Sequence, residues 1–390
     1  MDFRDTPEQA AWRAEVREFL EKERPKVDPD ANPMELARER GGVLKEWRDK
    51  LAKKGWIAPA WPKEYGGAGL GVMEQFIMNE EFAEARAPQV GGMGVSMIGP
   101  TLIIHGNEEQ KREHLGAILR GEVQWCQGYS EPGAGSDLAS LQTRAVRDGD
   151  DFIINGQKIW TSGAHNADWM FMLARTDPDA PKHRGITYFL VDMKSPGITV
   201  RPLINMAGGH QFNEVFFEDV RVPARNVVGE VNRGWYIGTT TLDFERSSIG
   251  NAVGQRQTLE YYLRFWKEHR GQPVTASASA AFASEFADRW IEAATAKMLS
   301  YRVISIQAAG RVPNHEASIA KLFNTELSQR IARTAMKLLG TSALLTGREA
   351  PMKGRAPGSY LQTVSSTIAG GTSEIQRNII ATRGLGLPRG

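Results

Sequence analysis

The hydrophobic pattern of this 390-residue chain changes period twice, and one kind of secondary structure cannot satisfy both periods. Helical spacing runs intermittently to about residue 120. From about Glu122 to Glu230 the chain alternates apolar and polar residues, as in TRAVRDGDDFIINGQKIWTSG, with turn signals at Asp148-Gly149 and Asn155-Gly156. Three more strand-like runs follow, DWMFMLART, GITYFLVDM and NEVFFEDVRVP. After Gly234 helical spacing returns, with Ile319, Phe323, Leu327, Ile331 and Ala335 at four-residue steps. The order helices, sheet, helices predicts an α+β chain in three segments: 1–121, 122–231 and 232–390.

Local signals refine this reading. Thr6-Pro7-Glu8-Gln9 offers an N-cap hydroxyl, a proline at the first helical position and a Gln at the capping-box position, followed by Trp12, Val16, Phe19 and Leu20 on one face. Glycine-rich stretches at Glu64–Gly71 and Gly91–Gly94 interrupt the first helical segment, and neither has the G-x-G-x-x-G spacing of a dinucleotide loop. The Ala/Ser-rich stretch Val274–Ser284 reads as a surface linker.

Composition narrows the function classes. With 41% hydrophobic and 24% charged residues the chain can bury a core, and a net charge of +2 without blocks of like charge gives no footprint for nucleic acid. The single cysteine, Cys126, can form neither an internal disulfide nor a multi-thiolate metal site. The N-terminal MDFRDTPEQA has no apolar signal core, and no 18-residue apolar run follows, so a soluble cytoplasmic protein is expected.

No HExxH, P-loop, G-x-S-x-G or paired-Cys motif is present. Four segments remain. SEPGAGSD (130–137) is a turn-forming loop whose small residues let a planar or phosphorylated ligand approach the backbone; from spacing alone a tight β connection is the simpler reading. KIWTSG (158–163) sets a large aromatic beside two hydroxyls after a strand, as a core Trp at a capped strand end would. LDFERSS (242–248) brings Asp243, Glu245 and Arg246 within one helical turn, the pattern of a salt-bridged face. AGGTSEIQRN (369–378) reads as a Gly-Gly entry, Thr372 as N-cap and a helix from Ser373, whose free N–H groups could face phosphate oxygens.

Together with WPKEYGGAGLG, QGYSEPGAGSD, NGQKIWTSGA, FFEDVRVP and GGTSEIQRNIIATRGLGLPR, these segments stand in the order and at the approximate spacing of the acyl-CoA dehydrogenase family, which the chain resembles over nearly its whole length. That resemblance implies an N-terminal helical domain, a β-barrel-like middle domain and a C-terminal four-helix bundle. It also implies FAD, wedged between middle and C-terminal domains and reaching a neighbouring subunit. Gln127, Tyr129 and Ser130 then resemble residues flanking the flavin ring. Gly135 and Ser136 resemble those near the pyrophosphate and the CoA pantetheine. Trp160 would stack beside the isoalloxazine, Thr161 and Ser162 would bond its N5 and O4 edge, and Thr372 and Glu374 resemble residues on the phosphate and ribose side.

The family's base is often the Glu of a Y-E-G-T motif. Here that position is Gly370, which keeps the backbone N–H that in relatives donates to the thioester oxygen. Some members take the base from an LDLER-like motif on an earlier helix, and LDFER puts Glu245 there. Asp243 resembles a pantetheine contact, and Arg246 a structural residue on the same substrate side. The implied reaction has Glu245 take the pro-R α-proton and flavin N5 the β-hydride, giving a trans-2-enoyl-CoA. Electrons would pass to an electron-transferring flavoprotein. The chain departs from the pattern where relatives carry R-x-x-F-G-x-x-I, whose Arg reaches the neighbour's FAD; here FWKEHRGQPVTASASAAFASEF stands instead. Bacterial relatives ending in AGGTSEIQRNIIAxRxLGLPR often share this loss, and some of those, notably the ones acting on steroid side chains, work as heterotetramers with incomplete sites. The resemblance therefore leaves three readings: a dehydrogenase of bulky acyl-CoA in a homo-oligomer (dimer or tetramer) or heterotetramer, a non-catalytic partner subunit, or an acyl-CoA oxidase.

Overall fold

The structure, a computed structural model, describes residues 4–26, 43–243, 249–275 and 280–388. Its helices are α1 (Pro7–Glu23), α2 (Val43–Lys53), α3 (Val72–Glu84), α4 (Gly99–His105), α5 (Glu108–Arg120), α6 (Gly234–Asp243), α7 (Ile249–His269), α8 (Ala280–Ala308), α9 (His315–Leu339), α10 (Arg355–Ser366) and α11 (Ser373–Ile379). The strands lie between α5 and α6: β1 (Trp125–Gly128), β2 (Arg144–Asp148), β3 (Asp151–Lys158), β4 (Trp169–Arg175), β5 (Ile186–Asp192), β6 (Ile198–Ile204), β7 (His210–Pro223) and β8 (Val227–Val228). Contacts group the chain into two compact units. One comprises residues 23–70 and 88–246; the other comprises 1–22, 71–87 and 247–390.

In the first unit the sheet has the order β6-β7-β3-β2-β4-β5-β8, with β1 parallel beside β4. The β2–β3 hairpin turns at Gly149, φ +63°, between the paired Asp148 and Asp151, where Asp148-Gly149 predicts it. Asn155-Gly156, carrying the same signal, is no turn. It sits inside β3 at a register shift against β7, where Asn155 exchanges hydrogen bonds of 2.9 Å with the Asp219 side chain and backbone N–H. A side chain at Gly156 would put Cβ 2.7 Å from Thr143 Oγ1, so the glycine serves a bulge and a close approach.

Strands β4 and β5 lack polar alternation because both their faces are buried. Phe171 and Leu173 join Met97, Ile98, Leu102, Leu115 and Ile118 of the helical layer. Met170 and Met172 point the other way and pack with Cys126, Ile154, Val215 and Phe217. The sheet folds over this second cluster, bringing the Phe152 and Phe189 rings within 5.2 Å, edge to face. Cys126 is fully buried there, and burial pushes its thiol pKa up. Strand β6 and the short strands β1 and β8 lie outside the runs that alternation marks in the sequence.

The second unit is helical. The expected capping box starts α1: Thr6 N–H donates to Gln9 Oε1 at 3.0 Å and Gln9 N–H to Thr6 Oγ1 at 3.3 Å. Val16 and Leu20 of its apolar face are buried, as are Leu327, Ile331 and Ala335 of α9. Two carboxylates of α3, Glu80 and Glu81, are also buried, and Arg13 of α1 reaches them at 2.7 and 2.9 Å. Arg17 pairs with Glu81, and Lys297 of α8 with Glu80 at 2.7 Å. Burial alone would raise the Glu80 pKa, but Lys297 and Arg13 hold it below the ordinary value. The predicted linker at Val274–Ser284 is in part helix: α8 begins at Ala280 and Phe282 enters the core, while 276–279 lie outside the described residues. No helix among the described residues is long and apolar enough to cross a membrane.

Candidate functional site

The two motif loops of the sheet unit are tied together from within. Lys158 closes β3 with its side chain fully buried, and its Nζ donates to Glu131 Oε1 at 2.7 Å and to the Tyr129 carbonyl at 3.1 Å. Glu131 also accepts the backbone N–H of Gln142 (2.5 Å) and Thr143 (2.9 Å). The Ile159 N–H donates to the Ser130 carbonyl at 2.9 Å, and Glu131 and Ala134 exchange backbone hydrogen bonds across the SEPGAG turn. Burial lowers the Lys158 pKa to about 8 against the pull of Glu131. Burial alone would raise Glu131, but Lys158 and the two N–H donors keep it below the ordinary carboxylate value. With both oxygens engaged, Glu131 is a structural anion and not a free base. Neither partner is visible as such in the sequence, since 27 residues separate them.

This clamp displays the expected cofactor-side residues. Gln127 lies on β1, with its Nε2 buried and unpartnered among the described residues; Thr161 Oγ1 is in the same state. Each such orphan costs about 1–3 kcal/mol unless something else bonds it. Tyr129 is buried against Phe171 and Tyr188, Ser130 is half-buried, and Gly135 and Ser136 are exposed. A Cβ added at Gly133, Gly135 or Gly163 would meet no atom within 4 Å, so these backbones face open space. Trp160 adopts φ +59°, which costs a non-glycine residue roughly 1–2 kcal/mol, yet the residue is 56% exposed and its ring meets Phe212 edge-on, with centroids 6.0 Å apart. Buried orphan donors, bare glycine backbone and an exposed indole suit a polar-edged planar group such as a flavin.

The residues following Trp160 are held by β7. Thr161 N–H donates to the Asn213 carbonyl and Asn213 Nδ2 to the Thr161 carbonyl, both at 3.0 Å. Asn213 Oδ1 lies 2.9 Å from His210 Nε2 and 3.2 Å from His165 Nδ1, and the two imidazoles stack at 4.1 Å. His165, His210 and Asn213 line a cleft of about 360 Å³ with Met193, Val200 and Pro202. None of the three was marked by a motif in the sequence.

In the helical unit Thr372 is the N-cap expected for α11, its hydroxyl accepting the Ile375 N–H at 3.2 Å. Glu374 is exposed on the first turn, its pKa held below the ordinary value by its own backbone N–H and by Thr372. Gly370 and Gly371 have φ +63° and +87°. Lys321 Nζ donates to the Gly371 carbonyl at 2.6 Å and the Ser366 carbonyl at 3.3 Å, while Gln376 Nε2 donates to the Gly370 carbonyl at 3.1 Å. The Gly370 N–H donates to no group among the described residues, which leaves it available to a ligand oxygen. Beside Thr372, a cleft of about 420 Å³ is lined by Arg330, Arg333, Arg377, Glu326, Ser373 and Glu374. The backbone of Asp243 ends α6; Glu245 and Arg246 lie outside the described residues. The structure thus brings Gln127, Tyr129, Ser130 and the Trp160–Ser162 loop into one unit, with Gly370, Thr372 and Glu374 in the other.

Comparison with known proteins agrees along the chain. Residues 6–122 match the N-terminal domain of acyl-CoA dehydrogenases, 126–220 the middle domain and 232–385 the C-terminal domain. "Acyl-CoA dehydrogenase FadE34" of Mycobacterium tuberculosis is 40% identical over 87% of this chain, which spans 46% of FadE34's length. Two solved structures align over 100% of both chains. The "Tcur3481-Tcur3483 steroid ACAD" has 33% identity and a TM-score of 0.85, and the ChsE4-ChsE5 complex from Mycobacterium tuberculosis has 36% identity and a TM-score of 0.83.

Proposed function

The chain belongs to the acyl-CoA dehydrogenase family, and from that premise we propose that it oxidises the Cα–Cβ bond of a bulky acyl-CoA thioester, of steroid side-chain type, to the trans-2-enoyl-CoA with FAD as its cofactor. One observation carries the reading: strand β1 and the loop after Lys158 present two buried polar atoms, Gln127 Nε2 and Thr161 Oγ1, with no partner among the described residues, and the loop's Trp160 is exposed. Gln127, Tyr129, Ser130, Gly135, Ser136, Trp160, Thr161 and Ser162 would hold the flavin end of the cofactor, and Thr372 and Glu374 its phosphate and ribose side. When bound, FAD supplies the two-electron acceptor for the hydride leaving Cβ.

This chain's own residues would do the rest. The Glu245 carboxylate takes the α-proton as the hydride leaves, while the Gly370 N–H donates to the thioester oxygen as it gains enolate charge. Asp243, Arg246 and Ser136 would line the CoA side. The limits 1–121, 122–231 and 232–390 are kept as the proposed domain division. An electron-transferring flavoprotein is the proposed acceptor, in the cytoplasm; an oxidase would differ in passing electrons to oxygen. The bulky substrate draws support from the similarity to a structure described as a steroid ACAD. A partner-subunit role has one specific observation behind it: the R-x-x-F-G-x-x-I stretch is missing, and a 36% identical structure is a complex of two proteins. A heterotetramer is therefore proposed alongside a homo-oligomer.

The deciding experiment is anaerobic bleaching of the flavin by bulky acyl-CoA thioesters. The purified protein should be yellow and release FAD, and Glu245→Gln should bleach about 10²-fold more slowly or worse while still binding ligand. Glu374→Gln, on the cofactor side, should keep the α-proton step. Bleaching of Glu245→Gln at the wild-type rate would place the base elsewhere. A chain that binds FAD fully yet bleaches with no acyl-CoA would be a partner subunit.

A further inference from the structure

The loop from Trp160 to Ser162 is held by a residue that no motif singles out. Asn213 is completely buried in β7 and engages Thr161 from both sides: its carbonyl accepts the Thr161 N–H and its Nδ2 donates to the Thr161 carbonyl, each at 3.0 Å. Next along the loop, the Gly163 N–H donates to the Gln211 carbonyl, also on β7, at 3.0 Å. Which way the Asn213 amide points matters, because a flipped amide would set its oxygen against the Thr161 carbonyl, two acceptors facing each other.

The Thr161 carbonyl fixes that choice, because only the Nδ2 side of the amide can donate to it. Asn213 Oδ1 can only accept, so His210 Nε2, 2.9 Å away, must carry a proton directed at it. His165 Nδ1 lies 3.2 Å from the same oxygen and 3.1 Å from Asn213 Nδ2, so it serves either end of the amide, and its ring stacks on His210 at 4.1 Å with 25° between planes. The chain of contacts runs from His210 through the Asn213 amide to the backbone of Thr161. Trp160, the next residue back, has the left-handed backbone that its surroundings must enforce, since the residue is mostly exposed.

We propose that Asn213, with its amide oxygen braced by His210, is a positioning residue that holds Trp160 and Thr161 in the arrangement the flavin requires. This rests on the FAD reading above and extends it to residues that do not themselves touch the cofactor. Asn213→Asp is nearly isosteric, keeps acceptors for the histidines and turns the Nδ2 donor into an oxygen facing the Thr161 carbonyl. His210→Phe keeps a ring to stack on His165 but loses the donor, whereas His210→Gln keeps a side-chain N–H.

Two readouts test the role. In the protein stripped of cofactor, hydrogen exchange of the peptide covering 159–163 should speed up about tenfold or more in Asn213→Asp and His210→Phe, and much less in His210→Gln, in line with loss of a loop hydrogen bond. On reconstitution, FAD affinity measured by quenching of flavin fluorescence should fall at least tenfold in the first two variants, with a changed flavin absorption envelope, and stay within about threefold in His210→Gln. Wild-type exchange and wild-type FAD affinity in Asn213→Asp overturn the proposal. Should that variant fail to fold, equal exchange and affinity in His210→Phe and His210→Gln overturn it instead. A wild-type protein that takes up no FAD refutes the cofactor reading, and the positioning role falls with it, even where loop exchange responds to the substitutions.

Discussion

A buried ion pair gains little over an apolar pair of the same shape but costs much when one partner goes, and Glu131–Lys158 is of this kind. Glu131→Gln leaves a fully buried ammonium without its counter-charge and should cost about 3–5 kcal/mol in urea unfolding, whereas Glu131→Gln combined with Lys158→Met should recover part of the loss. The pH dependence follows from the lowered Glu131 pKa. Its contribution is complete above the unfolded value of 4.5 and is lost as pH falls through the lower folded value. The wild-type advantage over Glu131→Gln should therefore shrink on acidification below about pH 4.5, whereas from about pH 8 down toward pH 5 it should grow, because without Glu131 the buried Lys158 loses the pull that holds its pKa at about 8 and resists protonation in the fold. Site residues on contiguous motifs, such as Trp160–Ser162 and Thr372, are legible in the sequence. Glu131–Lys158 and Asn213–Thr161 are not, because their meaning arises only when strands distant in sequence come side by side.

Elements announce themselves in the sequence where their signal is local. The α1 capping box, the four-residue steps of α9 and the Asp148-Gly149 turn all appear as read. Asn155-Gly156 shows the limit: the dipeptide states that the backbone can turn, and only the β7 register decides that it bulges. The short strands β1 and β8 have too few residues to show alternation. The two glycines make a paired prediction. Gly156→Ala would bring Cβ within 2.8 Å of the Thr143 Cα and should destabilise by about 1–3 kcal/mol. Gly149→Ala, with φ +63° but open space around it, should lose only the left-handed preference, about 1 kcal/mol. Equal urea midpoints for the two variants would show that the bulge imposes no steric demand.

On the scale of the whole molecule, the helical unit is assembled from three stretches of chain, two of them N-terminal. Arg13 of α1 contacts Asp5, Glu80 and Glu81, which hold its pKa above the ordinary value despite burial. Arg13→Met should strand part of that buried acidic pair, costing about 3 kcal/mol. The expected readout is a melting temperature lowered by roughly 5–10 °C, with Arg13→Lys intermediate. An unchanged melting temperature would mean that Arg17 and Lys297 suffice to neutralise the carboxylates. The lone thiol offers a view of the other unit. Cys126 lies on β1 inside the folded sheet, inaccessible and with its thiolate disfavoured, so it should ignore thiol reagents in the native state and react only when the sheet opens. The rate of its modification under native conditions then becomes a clock built into the protein, timing the breathing of the sheet with no added label, and cysteines placed elsewhere on the surface can be tagged without removing the native one.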